Sequence, residues 1–302
     1  MIKGELRSNI KKLWRHLSYI LNIEKETRPI SLSLHLTNKC NLNCDFCYLR
    51  NMDRTHELDY SKLRNFISVI KPKSVQLTGG EPCLYLYIKD LINFLGFNGI
   101  KIGMFTNGMY LRNIRNHLWM LDWLRVSINS YIDNDEEFVD PSNPKKLGYC
   151  YIKHKNSPKD LKERLIRFMD NHRGSYLKVE IDRFSHPQML MTTDSPDLFM
   201  FHPKSKITVQ EFSTPKDYKG KCYTGYLKPY LDGDGLVYPC WCTVDPKIRI
   251  RDKSKAITDI DHPSNLLIYQ DIIMDCKRCV FQDRNEFINY IKEKKVEDED
   301  FL

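Results

Sequence analysis

The run His35-Leu-Thr-Asn-Lys-Cys40-Asn-Leu-Asn-Cys44-Asp-Phe-Cys47-Tyr48 decides how the rest of the chain is read. It sets three cysteines at the spacing C-x3-C-x2-C, directly after an apolar, strand-like stretch from Ser31 to Leu36. Three thiolates this close can hold three corners of a cubic iron–sulfur cluster. Such a cluster ordinarily takes four cysteines, so one iron is left open for chemistry. From the residues alone the triad also suits zinc, with His35 or His56 as a further donor.

Downstream signals follow at the ends of further strand-like runs. Ser74-Val-Gln-Leu-Thr78 leads into Gly79-Gly80-Glu81-Pro82, where two glycines permit close backbone approach and the carboxylate can pair with a ligand ammonium. Phe105-Thr-Asn-Gly108 closes the run from Ile100, and Arg125-Val-Ser-Ile128 lies on the next. Taken singly, these are turns of a common kind.

Together they resemble the motifs of radical S-adenosyl-L-methionine (SAM) enzymes. The resemblance implies that Cys40, Cys44 and Cys47 hold a [4Fe–4S] cluster whose open iron takes the amino and carboxylate groups of SAM, and that SAM is cleaved to a 5′-deoxyadenosyl radical. It further implies that Gly79, Gly80 and Glu81 cradle the methionine amine, and that Thr106, Asn107 and Ser127 meet the ribose and methionine carboxylate. It also implies that Phe46, unless it only packs the loop, sets its backbone against the adenine, and Arg183 is a second candidate for the carboxylate.

Strand-like runs beginning near Ser31, Ser74, Ile100, Trp123, Tyr176 and Lys206 alternate with amphipathic stretches at 59–70, 86–96, 110–120 and 158–171. This predicts an α/β fold, a parallel sheet whose strand ends share one edge, and agrees with the partial (β/α)6 TIM-like barrel of the family. Residues 129–156, with the acidic run Asp133-Asn-Asp-Glu-Glu137, read as a polar insert bordering the mouth. The expected organisation is an N-terminal amphipathic helix (1–28) docked on the barrel through Leu6, Ile10, Leu13, Leu17 and Leu21, the barrel (29–215), a cysteine-rich α+β domain (216–292) and a charged tail (293–302).

The C-terminal region repeats the cysteine theme. Cys222, Gly235 and Cys240 form C-x12-G-x4-C, followed by Cys276-Lys-Arg-Cys279; four thiolates in this pattern suit a cluster or zinc. The pattern is similar to the twitch domain, a shortened SPASM extension of radical SAM enzymes. That implies one auxiliary [4Fe–4S] cluster on Cys222, Cys240, Cys276 and Cys279, and two clusters in all. Cys242 reads as a spare thiol or as a ligand in place of Cys240. Cys150 and Cys83 stand outside both sets; Cys83 adjoins the glycine motif and, like Tyr238 beside Cys240, is a weak catalytic candidate.

With 302 residues, 41% apolar content and no 18-residue apolar run, the chain reads as a cytoplasmic globular protein with no membrane partner. Its net charge of +8 is spread along the chain, so a nucleic-acid partner is permitted and not favoured. The resemblance implies hydrogen abstraction from a small polar metabolite or a peptide, with net oxidation or cross-linking through the auxiliary cluster. A low-potential electron donor such as flavodoxin or ferredoxin would supply the electron. Two other readings stand beside it: radical modification of a nucleotide or nucleic acid, and a non-catalytic zinc- or cluster-binding scaffold.

Overall fold

The computed structural model describes residues 13–25, 27–48, 50–182, 207–209, 216–244, 251–279 and 281–293. Its main sheet begins with β1 (Ser31–His35), β2 (Ser74–Thr78), β3 (Lys101–Thr106), β4 (Trp123–Ser127), β5 (Leu147–Lys153) and β6 (Leu177–Ile181), each parallel to the last. These six strands form the expected partial barrel, and β7 (Ile207–Val209) extends it by a short parallel strand. Parallel strands covered by helices are apolar on the helix side. Leu32, Leu34, Val75, Leu77, Ile102, Met104, Leu124 and Val126 are accordingly buried in one core.

The helices follow their periodicity. Helix α2 (Tyr60–Ile70) buries Leu63, Phe66, Ile67 and Ile70, starts at Asp59, whose carboxylate accepts from Lys62 N, and stops at left-handed Lys71. Helix α3 (Ile88–Phe97), the 3-10 segment Leu111–Met120 and α5 (Leu161–Asn171) occupy the other expected positions.

The supposed polar insert is different. It contains a short helix, α4 (Asn129–Asp133), and the whole of β5, which pairs with β4 through Ser127 and Cys150 and with β6 through Tyr149 and Leu177. Polar flanks disguised a strand whose Tyr149 and Tyr151 are buried, tyrosine being at home on a pleated surface. The runs near Tyr176 and Lys206 are thus the sixth and seventh strands.

At the other edge, β9 (Tyr230–Leu231) lies parallel to β1, and β10 (Leu236–Tyr238) and β11 (Thr258–Asp259) continue antiparallel. A separate two-stranded sheet joins β8 (Lys216–Lys221) to β12 (Ile273–Cys279), with α6 (Tyr223–Leu227) and α7 (Gln282–Glu293) nearby. Helix α1 (Leu17–Leu21) packs here and not on the barrel. Leu13, Ile20 and Ile23 share a core with Tyr223, Tyr226, Ile272, Met274 and Ile288, while Leu21, expected on the buried stripe, is exposed. Leu6, Ile10 and residues 294–302 lie outside the described residues. Among the described residues no helix is long and apolar enough to cross a membrane.

Candidate active site

The cysteine loop leaves β1 and is closed at its neck. Leu58 N donates to Leu36 O (2.9 Å), Asn38 N to His56 O (2.8 Å) and Asn38 Nδ2 to Asp53 O (2.6 Å). Within it, Arg54 donates to the carbonyls of Leu42 (2.9 Å) and Cys40 (3.2 Å) and to Asn43 Oδ1 (2.9 Å), a brace that no sequence signal announced. Cys40, Cys44 and Cys47 are half-buried. Burial, then the neighbouring Cys47 and Cys40 thiols, push Cys44 up to about 11, and burial raises Cys40 as well.

This donor set fits a cluster that takes thiolates, whose binding would release the thiol protons. It does not favour zinc. His35 is spent: Nε2 faces Thr37 O at 3.0 Å and Nδ1 faces Asp232 Oδ1 at 2.7 Å. Among the described residues no three His, Cys, Asp or Glu side chains are placed to hold a single metal ion.

The end of β2 is sewn to the root of this loop. Gly80 N donates to Thr37 O (2.7 Å) and Glu81 N to Lys39 O (2.8 Å). A Cβ on Gly79, at φ 142°, would fall 2.7 Å from Thr37 O, and one on Gly80 would fall 2.2 Å from Lys39 O. The glycines therefore admit the loop backbone.

Glu81 is the most enclosed residue of this motif. Its side chain is 0% exposed. Oε1 accepts from Thr106 Oγ1 (2.7 Å) and Cys83 N (3.0 Å), and Oε2 accepts from Asn107 N (2.8 Å). Burial pushes this carboxyl up while those donors oppose it. Glu81 thus braces the β2 and β3 loops. Asn107 extends the brace, its Nδ2 donating to Asn41 Oδ1 in the cysteine loop at 2.8 Å.

The structure brings further expected residues to the same edge. Ser127 ends β4 beside Cys150. The Phe46 ring lies 5.2 Å from His154, which follows β5 and pairs through Nε2 with Asp133 at 2.9 Å. Asn156 Nδ2 also reaches Asp45 Oδ2, at 3.3 Å. Both catalytic candidates are turned away from open space. Cys83 is 4% exposed within the main core, and Tyr238 is fully buried under Arg251. Arg183 lies outside the described residues.

In the C-terminal region Cys222, Cys240, Cys276 and Cys279 come together. Burial, then Cys240 and Cys276, push Cys222 up to about 12; burial, Cys276, Cys240 and Cys222 raise Cys279 to about 12. Burial and Cys240 take Cys276 to about 11. Cys242 touches the set through Cys240, whose thiol it raises by a hydrogen bond.

Residues 34–174 match the Radical SAM superfamily, whose members use SAM and a [4Fe–4S] cluster. The chain is 23% identical over 290 residues to the sporulation killing factor maturation protein SkfB of Bacillus subtilis, covering 82% of this chain and 68% of SkfB. It is 28% identical over 127 residues to an S-adenosylmethionine-dependent nucleotide dehydratase of Selenomonas ruminantium, covering 39% of this chain and 43% of that one. Among solved structures it resembles Streptococcus suis SuiB bound to precursor peptide SuiA, with TM-score 0.54, 13% identity and coverage of 98% and 72%. It also resembles anSMEcpe with bound AdoMet and Cp18Cys peptide, with TM-score 0.54, 13% identity and coverage of 88% and 97%. A six-stranded parallel barrel and a C-x3-C-x2-C loop that leaves its first strand agree with the family match, and residues 34–174 of this chain are a radical SAM region of that superfamily.

Proposed function

We propose that the chain is a peptide-modifying radical SAM enzyme with a second, twitch-like cluster site. The observation that carries the second site is the grouping around Cys240, which neighbours Cys222, Cys276 and Cys279 closely enough to raise each of those thiols. Cys40, Cys44 and Cys47 hold the SAM-binding cluster. Phe46, Gly79, Gly80, Thr106, Asn107 and Ser127 border the SAM site, Glu81 by holding its loops in register; Arg183 stays a candidate for the SAM carboxylate.

When bound, cluster and SAM supply a 5′-deoxyadenosyl radical that takes a hydrogen atom from substrate. Cys222, Cys240, Cys276 and Cys279 would hold the second cluster by four thiolates, and it would supply an acceptor for one electron in a net oxidation. A low-potential flavodoxin or ferredoxin is the expected electron donor.

The peptide class is supported by the reach of the similarity. SkfB, SuiB and anSMEcpe align over 82%, 98% and 88% of this chain. The alignment with the nucleotide dehydratase spans 39% of this chain and about two fifths of that protein, 43%.

Anaerobic reconstitution tests the cofactor assignment, with about eight iron per chain expected for two four-iron clusters. Replacing Cys40, Cys44 and Cys47 by Ala should halve that count and abolish 5′-deoxyadenosine formation; full iron retention would overturn the assignment. The substrate class is tested with deuterated cell extract split into peptide and nucleotide fractions. Deuterium should enter 5′-deoxyadenosine from the peptide fraction, and entry from the nucleotide fraction alone would overturn the peptide reading.

A further inference from the structure

One wall of the barrel carries an arginine that neither cysteine motif accounts for. On β4, Leu124 and Val126 are buried in the core beneath the helices, so Trp123, Arg125 and Ser127 share the opposite, lumen face. The same alternation puts Gly103 and Phe105 of β3 and Gly148 and Cys150 of β5 on that face, because Ile102, Met104, Tyr149 and Tyr151 lie in the core. The strand register sets Arg125 between Phe105 and Gly148, with Gly103 opposite Trp123.

Three rings fix the guanidinium. Its Cζ lies 4.9 Å from the centre of the Phe105 ring, 5.3 Å from that of Tyr176 and 5.7 Å from that of Trp123, and Nε donates to the Tyr176 hydroxyl at 3.1 Å. Two glycines make this box possible. A Cβ on Gly103 would fall 1.9 Å from the Trp123 ring, and one on Gly148 would fall 2.2 Å from the Tyr176 ring, so each yields its place on the wall to an aromatic side chain.

The outer end of the guanidinium is left over. Among the described residues neither Nη1 nor Nη2 has a hydrogen-bond partner, and no carboxylate stands within ion-pair reach of Arg125. Glu180 is the one acidic residue on the lumen faces of β1 to β6, and Lys178 holds it at 2.9 Å. Arg125 and Lys178 against Glu180 leave this part of the wall with one positive charge in excess. A half-buried cation without a counter-charge is unfavourable until an anion meets it, and a guanidinium whose Nε is engaged offers its two Nη groups as a planar fork that matches a carboxylate. At about 3.3 Å per residue, Arg125 lies about 7 Å below Ser127, which ends the strand at the edge shared with the cysteine loop.

We propose that Arg125 is the floor of the substrate site and sets its specificity: the two Nη groups hold a carboxylate of the substrate peptide, the side chain of an aspartyl or glutamyl residue, and the carbons attached to that carboxylate extend up the lumen toward the SAM end. It rests on the peptide reading of the function. Phe105, Trp123 and Tyr176 are positioning residues that keep the fork in place.

The deuterated peptide fraction tests this, used before and after its carboxylates are capped as amides with carbodiimide and methylamine. With reconstituted full-length wild type and SAM, deuterium entering 5′-deoxyadenosine should fall at least about tenfold on capping, the effect of losing a charge-assisted pair. Arg125→Met should transfer at least about tenfold less deuterium from the untreated fraction and no longer distinguish the two fractions, with iron content and SAM affinity as in the wild type. Arg125→Lys, which keeps the charge and loses the fork, should keep the preference in weakened form. Equal transfer from capped and untreated peptides by the wild type, which needs no variant to fold, would overturn the carboxylate site and leave the peptide reading standing; so would an Arg125→Met enzyme that still prefers untreated peptides tenfold. Transfer from the nucleotide fraction alone would overturn both.

Discussion

Glu81→Gln separates a brace from a ligand group. In the wild type the carboxylate receives three donors, from Thr106 Oγ1 at 2.7 Å, Asn107 N at 2.8 Å and Cys83 N at 3.0 Å. The amide keeps one oxygen, which suits the side taking two donors, and turns its NH2 toward Asn107 N–H. One charge-assisted bond worth about 1.5–3 kcal/mol is lost, and a buried donor worth about 1–3 kcal/mol is left unmet. Relief from burying a charge offsets part of this, since burial raises the Glu81 carboxyl. A net loss of about 1–3 kcal/mol should remain.

Anaerobic urea unfolding of the apoprotein would read that loss as a midpoint lowered by up to roughly 1 M. SAM affinity of the reconstituted variant should fall by less than about tenfold, because a brace acts on SAM only through loop position, and 1.4 kcal/mol is a factor of ten. Direct pairing with the methionine ammonium demands the reverse pattern. Apoprotein stability within about 0.5 kcal/mol of wild type, with a ten- to hundredfold loss of SAM affinity, would refute the brace.

Two further outcomes follow from the same geometry. Gly80→Ala places a Cβ 2.2 Å from Lys39 O, so the cysteine-loop root must shift; the variant should lose the iron of the first site and keep that of the second, and unchanged iron at both would contradict the close packing. Burial, with Glu180 adding, pushes the Cys150 thiol to about 12, and burial raises Cys83 too. The folded apoprotein therefore holds protons that the unfolded chain releases, and its stability is whole below the ordinary thiol value of about 8.5 and falls as pH climbs from there toward about 12. Thermal melts should show that fall, lessened in Cys150→Ala; a stability that rises over this window would contradict it.

Spacing made the barrel legible where one residue pattern had one structural meaning. The three loop cysteines, the strand ends at Thr78 and Thr106, and the apolar stripe of α2 are of that kind. It failed where meaning depends on a distant partner. Tyr149 and Tyr151 made β5 look polar, but their hydroxyls are met by Asp140 and Asp133, earlier in residues 129–156, which frees the rings for the core. Glu81 stood in the right place for a ligand, and spacing cannot say that the β3 loop supplies its donors first. His35 looked like a spare metal donor because Asp232, far along the chain, is invisible beside it.

The placement of the C-terminal strands decides how the two cysteine sites have to be studied. Cys240 follows β10, which pairs with β9, which pairs with β1, whose end opens the cysteine loop. The cysteine loop and Cys240 thus hang from one continuous sheet. Cutting the chain after the barrel, near residue 215, would strip β9 from β1 and turn a central strand into an exposed edge. It would also remove Asp232 and Tyr230 and leave the buried His35 Nδ1 without the two partners it has there. A barrel expressed alone would fail for reasons unrelated to whether the C-terminal thiols bind iron. Point substitutions at Cys276 and Cys279, at the far end of β12 in the separate sheet, leave the pairing of β9 with β1 intact and isolate the second site.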